Sequence, residues 1–183
     1  MKRKLLLYAA LLTLTQCSKC KNDPTPADPA AQLPPATQTG ANTFGCLVNG
    51  QPYTPQGRIG LGSNFAVSYD PGFNGGELLI GTYRVMGTPQ RQYLVVRGNH
   101  ITQAGTYALG PVNPANAFFT DNAQPVPCND FDSQAAGSFS KGTLTITRFD
   151  LNAGVIAGTF DFKFAKAGCD TLRLTQGRFD ARI

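Results

Sequence analysis

Residues 142–183 read GTLTITRFDLNAGVIAGTFDFKFAKAGCDTLRLTQGRFDARI. Leu144 and Ile146 share one face of this stretch, with Thr143, Thr145 and Thr147 opposite. Asn152-Ala153-Gly154 then turns the chain, and Ile156, Gly158, Phe160, Phe162 and Phe164 share a face while Thr159, Asp161 and Lys163 take the other. A two-residue period marks β-strands with one buried face. In the last segment Leu172 and Leu174 point inward, and the phase reverses at Gly177 so that Phe179, Ala181 and Ile183 point inward. A glycine at a phase reversal predicts a β-bulge.

The same period extends upstream. Phe44, Cys46 and Val48 alternate up to Asn49-Gly50, a dipeptide that favours a two-residue hairpin turn. Phe65, Val67 and Tyr69 alternate up to Asp70-Pro71-Gly72 and Asn74-Gly75-Gly76. Residues 78–85 and 93–97 read as more buried strands joined by a turn at 87–90, and shorter strands follow near 106–109 and 117–120. A Pro-containing loop at 124–128 leads into the last third. No helical period of useful length interrupts this series. Nine or ten strands over residues 42–183 predict an all-β domain, a single antiparallel β-sandwich or a partly closed barrel.

The N-terminal region is of another kind. Lys2, Arg3 and Lys4 precede ten mainly apolar residues, 5–14. As a helix these would span about 15 Å, half of a bilayer core of roughly 30 Å, which suits a secretory signal and not an anchor. Leu14-Thr15-Gln16-Cys17 resembles the lipobox of bacterial lipoproteins, with Gln16 where that class usually has a small residue. The reading is a signal peptide at 1–16, a lipid on Cys17, and a tether over 17–41. Residues 18–41 carry five prolines and a single aliphatic residue, Leu33. Alone, such a segment buries too little apolar surface to offset its ordering entropy, so it is expected to stay extended and solvated.

Two stretches carry a family resemblance. The opening NTFGCLVNGQPYTPQG and the closing GTLTITRFDLNAGVIAGTFDFKF with CDTLRLTQGRFDARI resemble a family of uncharacterised lipoproteins from Bacteroidota. The resemblance covers both ends of the domain and implies lipoprotein status and an all-β fold. It assigns no catalytic or binding residue.

The net charge of +5, from 16 Lys+Arg against 11 Asp+Glu, suggests a nucleic-acid partner, but three of the positives belong to the signal segment. Without Lys2, Arg3 and Lys4 the balance is 13 against 11, and the domain itself holds 11 against 9, well mixed along the chain. The basicity is mostly a targeting address, and no nucleic-acid partner is expected.

With Cys17 lipidated, Cys20 lies in the tether and Cys46, Cys128 and Cys169 in the domain. If the last three strands form a meander, Cys128 and Cys169 reach the same end and pair, with Cys46 a buried thiol or the alternative partner. An envelope location permits such a bond. No CxxC spacing occurs in the domain and one His is present, so neither zinc nor any other metal or cofactor is expected.

The catalytic inventory is thin. His100 is the sole imidazole, no G-x-S-x-G surrounds any serine, and Ser133 and Ser138 sit in a polar loop. Glu77 is the sole Glu, Asn129-Asp130-Phe131-Asp132 near Asp121 lacks the length and regularity of a calcium loop, and the Gly-rich stretches lack a phosphate-binding Lys. The expectation is a non-enzymatic module on the outer membrane, facing either the periplasm or the exterior. It would bind a glycan or protein, or support an assembly, with Phe73, Phe118 and Phe119 as candidate contacts, since one of two adjacent residues on a strand faces outward. A small secreted hydrolase with an unseen site and a purely structural envelope protein are the alternatives.

Overall fold

The computed structural model describes residues 28–87 and 90–183. The signal segment, Cys17 and Cys20 therefore lie outside the described residues, as does part of the turn at 87–90. Two antiparallel sheets pack face to face as a sandwich that does not close into a barrel. The strands are β1 (Thr43–Val48), β2 (Gln51–Tyr53), β3 (Phe65–Asp70), β4 (Glu77–Val85), β5 (Arg91–Gly98) and β6 (Gly105–Ala108). They continue with β7 (Ala115–Asp121), β8 (Asp130–Asp132), β9 (Phe139–Asp150), β10 (Val155–Ala165) and β11 (Leu172–Arg182). One sheet runs β2-β1-β11-β10-β9-β6 and the other β3-β4-β5-β7-β8. The additions to the expected strands are β2 and β8, at three residues each too short to display a period. Among the described residues no helix is long and apolar enough to cross a membrane.

The core is aromatic where the sheets meet. Phe44 of β1 packs 5.6 Å from Phe160 of β10 and 5.7 Å from Phe65 of the facing sheet, ring centroid to centroid. Tyr69 meets Phe149 edge-on at 5.1 Å, and Phe131 meets Phe164 at 6.4 Å. Such offset and T-shaped pairs add about 0.5–1.5 kcal/mol each beyond the area they bury. Asn49 and Gly50 both have positive φ (48° and 81°), as the β1–β2 turn requires.

The bulge expected near Gly177 is present. Phe160 pairs with Gly177 and Phe162 with Leu174, so Thr175 and Gln176 together face the single residue Asp161, and Gln176 takes φ 51°. The ring of Phe160 fills the space that a side chain at Gly177 would need. A second irregularity at Thr147 in β9 turns Phe149 back toward the core.

The expectation of a solvated tether is corrected for residues 28–41. Asp28 caps a short 3-10 helix, Pro29–Gln32, its Oδ1 accepting from Ala30 N at 2.9 Å. Leu33 is buried, and Pro34 lies over Gly45 on the outer face of β1, 2.7 Å from where a Cβ would stand. The chain then crosses Asp180, which faces outward from β11 and is nonetheless only 1% exposed. One carboxylate oxygen accepts from Thr37 Oγ1 (2.7 Å), Thr39 N (2.9 Å), Thr39 Oγ1 (3.3 Å) and Ala41 N (3.2 Å), and the other from Gly40 N (2.7 Å). Arg148 Nη1 donates to Gln38 O at 2.5 Å, and Arg182 flanks Gly40. A segment with no core of its own thus docks by handing its donors to one carboxylate of the domain.

Burial works to raise the Asp180 pKa, but the donors from Thr37, Thr39, Gly40 and Ala41 outweigh it and hold the carboxyl below its ordinary value. A folded pKa below the unfolded one, about 3.9, contributes stability that is present above that value and is lost as pH falls through the lowered pKa. At neutral pH the hold is complete.

Replacing Gly177 with Ala overpacks Phe160 and is expected to cost about 1–3 kcal/mol in equilibrium urea unfolding. Gly62→Ala, where a Cβ would meet nothing within 4 Å, should change stability by less than about 0.5 kcal/mol.

Candidate functional site

A cavity of about 400 Å³ opens at one end of the sandwich. Its floor is Phe119 of β7, Phe131 of β8 and Leu172 of β11; its rim carries Asn49, Asp121, Gln124 and Asp170. Two loops wall it, 122–129 and 166–171, and the Cys128–Cys169 disulfide joins them with Cα atoms 5.5 Å apart. Lys166 Nζ reinforces the joint by donating to Pro127 O at 2.7 Å, with Asp130 Oδ1 at 3.3 Å. The pairing matches the one expected from the meander, and Cys46 is a free, buried thiol.

Behind the rim runs a row of polar side chains on the inner face of the second sheet. Asp121 Oδ2 accepts from Gln92 Nε2 at 2.7 Å, and Gln92 Oε1 accepts from Arg84 Nε at 2.7 Å. Arg84 also donates to Pro52 O at 2.6 Å and lies 4.8 Å over the Tyr53 ring, whose hydroxyl bonds Thr82 at 2.8 Å. Burial lowers the Arg84 pKa, and the smaller opposing pull of Tyr53, Cys46 and Asp121 does not restore it. Burial likewise pushes the Cys46 thiol up to about 12, against a smaller opposing pull from Arg84. Asp121 also accepts from Ala123 N at 3.0 Å, so its carboxylate is held rigidly at the rim. An apolar floor under fixed carboxylate and amide groups suits a small ligand with one apolar face and several hydroxyl or amine groups. The volume falls within the usual range for ligand pockets, about 300–1,000 Å³.

The three aromatic candidates separate. Phe119 is the inward-facing member of the adjacent pair, 3% exposed, and contributes to the cavity floor from within rather than to the outer surface. Phe118 faces outward on the second sheet, opposite Val95 and beside the Tyr83–Tyr93 pair at 6.1 Å. Phe73 is exposed in the β3–β4 turn. The structure does not gather Phe73, Phe118 and Phe119 into one surface.

His100 lies in the loop after β5, at the end of that strand away from the cavity, its backbone N–H donating to Asn74 O at 3.1 Å. The Ser133 hydroxyl is buried and accepts from Ala117 N at 2.9 Å. Among the described residues no hydrogen bond joins His100 to Ser133 or Ser138, and no three His, Cys, Asp or Glu side chains are grouped to hold a metal ion. Sequence reasoning missed Phe131 and the Arg84–Gln92–Asp121 row. Their one signal was the polar side chains at phase-inward positions of strands 4, 5 and 7.

Residues 78–181 match the family model described as a domain of unknown function, DUF6252, over more than half of the chain. The chain belongs to DUF6252. No curated protein and no solved structure matches it. The DUF6252 match runs from β4 into β11 and so takes in the disulfide and most of the cavity, while the strap at 28–41 and β1 to β3 lie outside the matched span.

Replacing Cys128 and Cys169 by Ser together should cost about 4 kcal/mol for a sequence separation of 41 in the chain-entropy picture, read as a lowered urea midpoint. In a chain carrying Cys17→Ser and Cys20→Ser, Cys46 should resist a thiol reagent at pH 8 and react within seconds once guanidinium unfolds the protein.

Proposed function

We propose that this DUF6252 protein is an envelope lipoprotein, tethered through a lipid on Cys17, whose sandwich binds a small polyhydroxyl or amine-bearing ligand, such as a glycan unit, in the disulfide-walled cavity. The observation that carries the binding reading is the cavity itself: an apolar floor of Phe119, Phe131 and Leu172 under the fixed Asp121 carboxylate. The disulfide supports an oxidising compartment, and the basic n-region, short apolar stretch and Leu14-Thr15-Gln16-Cys17 support export and lipidation. The resemblance to Bacteroidota lipoproteins points to the outer membrane. Tyr83, Tyr93, Val95 and Phe118 on the outer face of the second sheet favour a second reading, support of a protein assembly.

Labelled palmitate should appear on the wild-type protein and vanish in Cys17→Ala; label that persists in the variant contradicts the anchor. In a mono- and oligosaccharide screen by thermal shift, a ligand that stabilises the wild type should bind at least tenfold more weakly to Asp121→Ala. An affinity unchanged in that variant places binding elsewhere.

A further inference from the structure

We propose that residues 28–41 are a latched spacer, whose hold on Asp180 sets how far the sandwich stands from the anchored end of the chain. This rests on the Cys17 anchor proposed above. Ten residues, 18–27, separate Cys17 from Asp28, and fully extended they reach at most about 35 Å. Fourteen more, 28–41, are taken up against the outer face of β1 and β11. Undocked, all 24 would lie between anchor and domain, with a limit of about 85 Å.

The geometry suits release as a unit. Five hydrogen bonds from Thr37, Thr39, Gly40 and Ala41 converge on the Asp180 carboxylate. The strap adds only Leu33 to the buried apolar residues. Gly40 and Asn42, both at positive φ (74° and 56°), bend the chain where it enters β1. The first strand pairs with β2 and β11 through residues 43–48, none of which belongs to the strap, so opening the latch breaks none of those pairings.

Amide hydrogen exchange on the unlipidated Cys17→Ser chain tests the latch. In Asp180→Asn, amides 37–41 should exchange at least tenfold faster while those of β10 are unchanged; equal strap exchange in both proteins overturns the proposal. Should β10 also accelerate, the Thr37→Val, Thr39→Val double variant decides, since it alters the strap alone: faster exchange confined to 37–41 supports the latch and unchanged exchange overturns it. Spacing is read by energy transfer from a dye on Leu151→Cys, in a Cys20→Ser background, to acceptor lipids in vesicles carrying the lipidated protein. Transfer falling by at least half in Asp180→Asn supports the spacer, and equal transfer from bound protein overturns it. Protein that does not associate with the vesicles overturns the anchor reading, and the exchange result still judges the latch.

Discussion

Position 177 of β11 has no side chain because the ring of Phe160 occupies that space, and beside it Thr175 and Gln176 bulge against the single residue Asp161. That irregularity turns the strand by one residue. Without it the alternation set by Leu172 and Leu174 would carry Arg178, Asp180 and Arg182 into the interface between the sheets and Phe179 out to solvent. Unpaired charges there would cost several kcal/mol each. With it, Phe179 and Ala181 join the core and Asp180 faces outward. Because β11 sits between β1 and β10, the turn sets both the aromatic core on one side and the docking of the N-terminal strap on the other.

The tripeptide Arg-Phe-Asp occurs twice with different outcomes. At 148–150 Phe149 packs inward while Arg148 pairs with Asp150 at 2.8 Å along the same strand, and Asp150 also receives Ala153 N in the following turn. Those contacts, the Arg148 hydrogen bond foremost, hold the half-buried Asp150 carboxyl below its ordinary value. At 178–180 Phe179 packs inward too, but Asp180 is covered by the strap, and among the described residues its carboxylate bonds strap donors alone. Both phenylalanines pack inward; Asp150 pairs within its own strand, and among the described residues no cation pairs with Asp180.

The fold was legible because its information is local. A period of two over 142–165, Asn49-Gly50 at a hairpin and Gly177 at a phase change each report on neighbouring residues only. The Cys128–Cys169 bond was legible one step further on, since a meander of the last three strands places both at one end. The cavity was not, because its walls come from three stretches far apart in the chain, 48–49, 119–131 and 168–172, and a period tells which residues point inward without telling where the interior remains open. Likewise, adjacent Phe118 and Phe119 announce that one faces out, but not which. The strap was least legible: by composition residues 28–41 cannot fold alone, and the carboxylate that holds them is about 140 positions away.

The docked strap requires the Asp180 carboxylate to be ionised, buried and bonded to Thr37, Thr39, Gly40 and Ala41. A carbon-detected NMR titration of the side-chain carboxyls measures this directly. Asp180 should titrate below the ordinary aspartate value, about 3.9, and the amide signals of Thr39, Gly40 and Ala41 should move with it. An Asp180 that titrates at or above that value, with those amides unmoved, would contradict the docked strap.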